Sequence, residues 1–251
     1  MELARIAAAS GFSLVISARR GDLLDSLAAE LSALHGVQVH TVPGDLGQPG
    51  VPEKVYHRAV ALAGVPDVVV NNAGFGTWGA FTETDLANEV SMLRLNIEAL
   101  TIISKLALRD MAARGSGRLL NVASAAAFVP GPFMAVYYAS KAFVLHFTEA
   151  LSKEMEGSAI TISALCPGPV ETAFKQRAGV SKLHIFRRAA TPTFVARAAF
   201  DGVMSGKRII IPGRDVRTAL TLSRLVPRRT TLNVVSRLQK ARDPKKVLGQ
   251  D

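Results

Sequence analysis

Short apolar, β-branched runs recur along the chain at 12–17, 37–42, 67–71, 118–122, 160–165 and 208–211. Each is a continuous run, as in Val68-Val69-Val70, and not an alternation of apolar and polar residues. That is the pattern of strands covered on both faces. Between them, apolar residues return every three to four positions and predict helices over 22–34, 51–62, 85–111, 136–155 and 192–204. Strand and helix alternate throughout, which predicts an α/β fold: a Rossmann-like, doubly wound parallel sheet with helices on both faces.

After Ile211-Pro212-Gly213 the pattern changes to two basic helical pieces, 217–226 and 231–242, separated by Pro227. In the second piece Leu232, Val235, Leu238 and Ala241 fall on one face. The chain therefore divides into a domain over 1–213 and a basic helical extension over 214–251.

Composition sharpens this picture in two places. One cysteine in 251 residues excludes an intrachain disulfide, and 49% hydrophobic residues with a mean hydropathy of +0.24 supply a well-filled core. Charge is unevenly placed: residues 1–181 carry 14 Lys/Arg against 16 Asp/Glu, whereas 182–251 carry 16 against 4. Such a basic tail suits an anionic partner, and the few aromatics that accompany it argue against nucleic acid and for peripheral contact with an anionic membrane surface. Met1-Glu2-Leu3-Ala4-Arg5 has no signal-peptide pattern, so a cytoplasmic protein is expected. The uncharged stretch 119–140 contains Asn121, Ser124 and Pro130-Gly131-Pro132, and reads as a strand, a loop and a helix start instead of a membrane span.

Candidate chemistry centres on Tyr137 and Lys141. Four residues apart in a helical stretch, they share one face, where an ammonium can favour ionisation of a phenol whose ordinary pKa is about 10. Ser124 lies just past the fourth strand, at the carboxyl edge where such sheets open into a ligand crevice. Its hydroxyl is placed to polarise a carbonyl. Cys166 and His146 read as packing residues, and no cluster has metal-ligand spacing.

Together these residues resemble the short-chain dehydrogenase/reductases: Asn71-Asn72-Ala73-Gly74 after a strand, Asn96 in the next long helix, Ser124, Tyr137-x-x-x-Lys141, and Pro167-Gly168-Pro169-Val170-x-Thr172. The resemblance implies hydride transfer between a nicotinamide and a carbonyl or alcohol. It assigns Tyr137 as general acid/base, Ser124 as a hydrogen-bond partner of the reacting oxygen, Lys141 to the nicotinamide ribose and the tyrosine pKa, and Asn96 to a water linking Lys141 with solvent. It also places Asn72, Ala73 and Gly74 near the adenosine ribose, Asp45 and Leu46 beside the adenine, and Pro167, Gly168, Val170 and Thr172 around the carboxamide. Arg19 and Arg20 close the first strand where an NAD-binding chain carries an acidic residue, so NADP(H) is expected.

One part of the family pattern is missing from the sequence: the first strand and its glycine-rich TGxxxGxG turn. Leu3-Ala4-Arg5-Ile6-Ala7 resembles the helix that follows that turn. The expectation is that roughly twenty residues, one strand plus a βα turn, lie upstream of Met1. As written, the chain is expected to bind NADP poorly and to leave two strand edges unpaired. Phe128, Phe133, Met134, Phe174 and Trp78 are expected at the crevice mouth and suggest an apolar carbonyl or alcohol substrate. The helices over 85–111 and 136–155 are those through which the family forms homodimers or homotetramers. The alternative reading is a truncated, catalytically inactive dinucleotide-fold protein that acts as a binding scaffold, or at a membrane surface through its tail.

Overall fold

In a computed structural model, residues 1–172, 174, 178, 189–223 and 225–239 are described. Helix α1 (Glu2–Ala9) opens the chain, followed by β1 (Leu14–Ile16), α2 (Gly21–His35), β2 (Val39–Thr41), α3 (Val51–Ala63) and β3 (Val68–Asn71). Next come α4 (Leu86–Leu93), a π-helical turn (Arg94–Ala99), α5 (Leu100–Arg114), β4 (Gly117–Val122), a 3-10 turn (Ala125–Phe128) and α6 (Ala135–Glu154). β5 (Ile160–Leu165), α7 (Pro192–Met204), β6 (Ile209–Ile210), α8 (Arg214–Ser223) and α9 (Arg228–Gln239) complete the described elements.

Every strand pairing is parallel, because each connection returns the chain through a helix. β3, β4, β5 and β6 form one sheet in that order, while β1 pairs with β2 in a second. Successive residues of β4 feed opposite layers. Leu119 packs with Tyr56, Ala107, Met111 and Ile162 beneath α3 and α5, whereas Leu120 packs with Leu165, Val195, Ala199 and Val203 beneath α7. These residues are almost fully buried, and each such aliphatic side chain contributes roughly 1.5–3 kcal/mol.

β1 and β3 each keep one edge without a strand partner among the described residues. Val68, Val69 and Val70, expected to be covered on both faces, are consequently only half-buried. Helix α1 bridges the two sheets: Leu3 packs with Val68, Val70 and Val122, and Ala4 and Ala8 pack with Leu14, Ile16 and Leu31. Arg5 pairs with Glu30 of α2, and Thr193 Oγ1 donates to Glu2 at 2.8 Å, which fixes α1 against both neighbours.

Two corrections concern the helices. The stretch over 85–111 is interrupted at Arg94–Ala99, where one turn is π-helical. The basic helices begin three residues earlier than expected, at Arg214 and Arg228, and Ala241 and Arg242 lie outside the described residues. No helix among the described residues is long and apolar enough to cross a membrane.

Candidate active site

Parallel strands all present their carboxyl ends to one edge, and the loops that follow β3, β4 and β5 meet there. Ser124 leaves β4 in an extended conformation and caps the 3-10 turn, its Oγ accepting from the Ala126 amide at 3.1 Å. The same hydroxyl faces the Tyr137 phenol, which stands in the first turn of α6, and favours its ionised form. One turn further on, Lys141 is 5% exposed; its Nζ donates to the Val122 carbonyl at 2.8 Å and sits 6.0 Å from the centre of the Tyr137 ring.

Burial dominates the protonation of both groups. It pushes the Tyr137 phenol up to about 12, with Ser124 drawing it partly back, and holds the Lys141 ammonium down at about 8. This runs opposite to the expected lowering of the tyrosine by the lysine. The ammonium is spent on a backbone carbonyl at the end of β4 and stands off from the ring, so desolvation prevails. Tyr137 is therefore a phenol with a proton to give, not a phenolate.

Asn96 stands in the π-helical turn, fully buried. Its Nδ2 donates to the Phe75 carbonyl and to Ser140 Oγ, both at 3.0 Å, and its Oδ1 accepts from the Phe75 amide at 3.1 Å. Ser140 Oγ in turn donates to the Tyr137 carbonyl at 2.7 Å. The loop after β3 is thus tied through one amide to the backbone of the tyrosine. A π turn rotates the residues on either side of it relative to each other, which is how a side chain from a long helix reaches this loop.

A family model for short chain dehydrogenases matches residues 1–182. The chain belongs to the short-chain dehydrogenase family. It is 31% identical over 188 residues to the ketoacyl reductase HetN of Nostoc sp., covering 74% of this chain and 65% of that protein. It is likewise 31% identical over 172 residues to the probable oxidoreductase EphD of Mycobacterium tuberculosis, of which it spans 29%. The chain thus covers less than two thirds of the length of these relatives. Among solved structures, a short-chain dehydrogenase from Sphingobium yanoikuyae in complex with NADPH superposes with a TM-score of 0.80 at 28% identity, over 89% of this chain and 88% of that one. A 7β-hydroxysteroid dehydrogenase, with a TM-score of 0.82 at 24% identity, shares the fold.

The residues expected from the sequence to meet a nicotinamide dinucleotide follow the carboxyl ends of the strands. Arg19 and Arg20 are exposed past β1, and Asp45 and Leu46 are half-buried past β2, where Asp45 Oδ1 accepts from the Gly47 amide. Asn72, Ala73 and Gly74 are exposed past β3. A Cβ on Gly74 comes within 3.0 Å of Asn96 Oδ1 and 3.3 Å of Lys141 Nζ, so this glycine keeps open a cradle above the lysine. The ribose end of a dinucleotide fits that cradle; a glycine-rich turn for its pyrophosphate is not among the residues of the sequence.

Past β5, the Pro167 carbonyl accepts from the Ala125 amide at 2.8 Å, locking this turn to the Ser124 loop. Gly168 lies under Val216 of α8, where a Cβ meets Val216 Cγ2 at 2.9 Å. Val170 bridges to Ala190, and Thr172 Oγ1 accepts from the Phe174 amide at 3.3 Å.

Of the expected mouth residues, Trp78, Met134 and Phe174 pack with Tyr137 and Tyr138 in one cluster, and the Phe174 ring lies 5.3 Å from that of Tyr137. Phe133 sits beside Trp78 in a left-handed conformation (φ 65°), its carbonyl accepting from the Gly79 amide. Phe128 belongs elsewhere, packed with Val144 and Cys166 in the core, and His146, expected to pack, is exposed. Cys166 is buried as expected. Sequence reasoning missed Gly76 and Gly131, which let the Tyr137 and Tyr138 rings pass over backbone, and Val235 and Gln239 of α9, which join the cluster from the far end of the chain.

Proposed function

We propose that the protein is an NADP(H)-dependent oxidoreductase that transfers a hydride between the nicotinamide and an apolar carbonyl or alcohol, with Tyr137 as general acid/base. The observation that carries this reading is the juxtaposition of Ser124 and Tyr137 past the carboxyl end of β4, with Lys141 one turn further along α6 and tied to the Val122 carbonyl. The bound cofactor supplies or takes up the hydride. Ser124 and Tyr137 together offer two hydroxyls to one substrate oxygen. Tyr137 is protonated at neutral pH and so has a proton available for a carbonyl oxygen, as reduction requires.

Lys141 keeps N–H groups beyond the one given to Val122, which suit ribose hydroxyls beside Gly74. The proton that restores Tyr137 comes from solvent, by a water donating to the remaining lone pair of Asn96 Oδ1 and by way of Lys141. Arg19 and Arg20 are free to take a 2′-phosphate, which favours NADP over NAD. Relatives described as ketoacyl reductases, and structures of a short-chain dehydrogenase and of an actinorhodin polyketide ketoreductase with NADPH, support the same reading. Exposed Leu86, Val90, Leu93 and Phe143 on α4 and α6 suit assembly as a homodimer or homotetramer.

Substituting Tyr137→Phe tests the mechanism. Loss of the acid/base is expected to lower NADPH-dependent reduction of a ketone panel by at least about a hundredfold while leaving thermal stability nearly unchanged. Turnover that survived this change would refute the assignment.

A further inference from the structure

We infer that the hairpin of α8 and α9 is a membrane-docking surface: the turn between the two helices enters an anionic phospholipid surface by Leu222, Leu225 and Val226, and the arginines on either side pair with the headgroups. Residues 214–239 contain six arginines against one acidic residue, Asp215. Arg214, Arg217, Arg228, Arg229 and Arg237 are exposed, and none of them is in an ion pair among the described residues. Positive charge left unpaired at this density calls for an anionic partner.

The same segment is where apolar surface collects. Six of the fifteen large hydrophobic residues that stand exposed among the described residues lie between Leu222 and Leu238, and Leu225, at 81%, is the most exposed of all. The Leu225 amide donates to the Leu222 carbonyl at 3.0 Å, so both leucines stand on one tight turn, after which Pro227 starts α9. The hairpin meets the domain by other residues. Val216 covers Gly168 past β5, while Val235 and Gln239 pack at Trp78 and Tyr138. One side is therefore seated on the domain and a second apolar side, rimmed by guanidiniums, is left open. No helix among the described residues is long and apolar enough to cross a bilayer, so the contact is with its surface.

Two other occupants fit this surface less well. Two copies pairing through the turn would set arginines against arginines. Nucleic acid would use the arginines but leave the leucines in water, and residues 214–239 contain no aromatic side chain on which a base could stack.

The test floats the full chain on vesicles of phosphatidylcholine with and without phosphatidylglycerol. Neither cofactor nor substrate is added, so the outcome is separate from the reductase reading. The wild type is expected to bind the anionic vesicles and not the zwitterionic ones, and to lose at least about tenfold in partitioning in about 1 M salt, where the Debye length is about 3 Å. Leu225→Asp, at a side chain with little packing to lose, keeps the melting temperature and lowers partitioning at least about tenfold. Arg228→Glu combined with Arg229→Glu acts likewise, whereas Leu34→Asp, at an exposed leucine of α2, leaves binding unchanged. In Leu225→Trp the added indole shifts to the blue on binding and is quenched by lipids brominated in their acyl chains. Absence of binding to anionic vesicles, or binding that Leu225→Asp leaves intact, overturns the inference. A wild type that ignores vesicles but forms a dimer dissociated by Leu225→Asp assigns the turn to a second copy; one that ignores vesicles but binds duplex DNA assigns the arginines to nucleic acid.

Discussion

Lys141 is a cation held where a cation is disfavoured, and its removal has a signature that few other substitutions share. Its ammonium is 5% exposed and has a pKa of about 8 in place of the ordinary 10.5. The folded protein thus releases this proton near pH 8 and the unfolded chain near 10.5; between those limits the unfolded state binds more protons, so wild-type stability rises with pH. The cost of keeping the group charged below pH 8 is the depression of about 2.5 units at about 1.4 kcal/mol each, or about 3 kcal/mol. Lys141→Met keeps the stem and deletes the charge, and it also leaves the Val122 carbonyl without its donor, a loss of about 1 kcal/mol. The variant is therefore expected to be about 2 kcal/mol more stable than the wild type at neutral pH and about 1 kcal/mol less stable above pH 10.5. Urea unfolding of both proteins over that range measures the difference, in which the titration of Tyr137 cancels. Two curves that run parallel with pH would refute the burial of a charged Lys141.

Two further substitutions test the packing that supports the site. A methyl on Gly131 lands within the Tyr138 ring, so Gly131→Ala is expected to cost about 1–3 kcal/mol in thermal unfolding and to disturb Trp78 emission through the Gln239 contact; an unchanged spectrum and melting temperature refute that packing. Asn121, fully buried, accepts from Asn71 at 2.9 Å and donates to Thr148 at 3.0 Å, so Asn121→Leu removes one hydrogen bond from each, Asn71 keeping Ser104 and Thr148 keeping the Val144 carbonyl, and is expected to cost about 1–3 kcal/mol, with Asn71→Leu in the same chain adding less than its single cost. Additive costs in that cycle rule out a connected network.

The parallel sheet was legible because runs such as Leu119–Leu120 can be paid off only between two helical layers, and each is flanked by a helical period. Ser124, Tyr137 and Lys141 were legible for a related reason: a strand end and one helical turn fix their mutual placement with little help from tertiary context. The π turn at Arg94–Ala99 was not, since no glycine or proline marks it and the inserted residue is accommodated by packing. Phe128 was misplaced because its position after a strand end says nothing of the 3-10 turn that folds it back into the core beside Val144. The earlier start of the second basic helix has a plainer cause: Pro227 precedes a first turn, where a missing N–H costs nothing, so α9 starts at once behind it.

The extension shows how one amphipathic pattern can face two different neighbours. Val235 and Leu232 suggest a face for an anionic membrane, yet Val235 is spent on the crevice, while Leu222, Leu225, Val226, Leu232, Val234 and Leu238 remain exposed among the arginines. Drawing the crevice face into lipid requires giving up the Val235 contacts, roughly 1.5–3 kcal/mol, and the hydrogen bonds to Trp78 and Tyr138, about 1 kcal/mol each. A lipid surface gains nothing from that exchange which the already exposed leucines do not offer without it. Vesicles of anionic phospholipid are accordingly expected to leave Trp78 emission unshifted, whether or not the protein sediments with them. A red shift on adding vesicles would mean that the membrane competes with the crevice for the same face of α9.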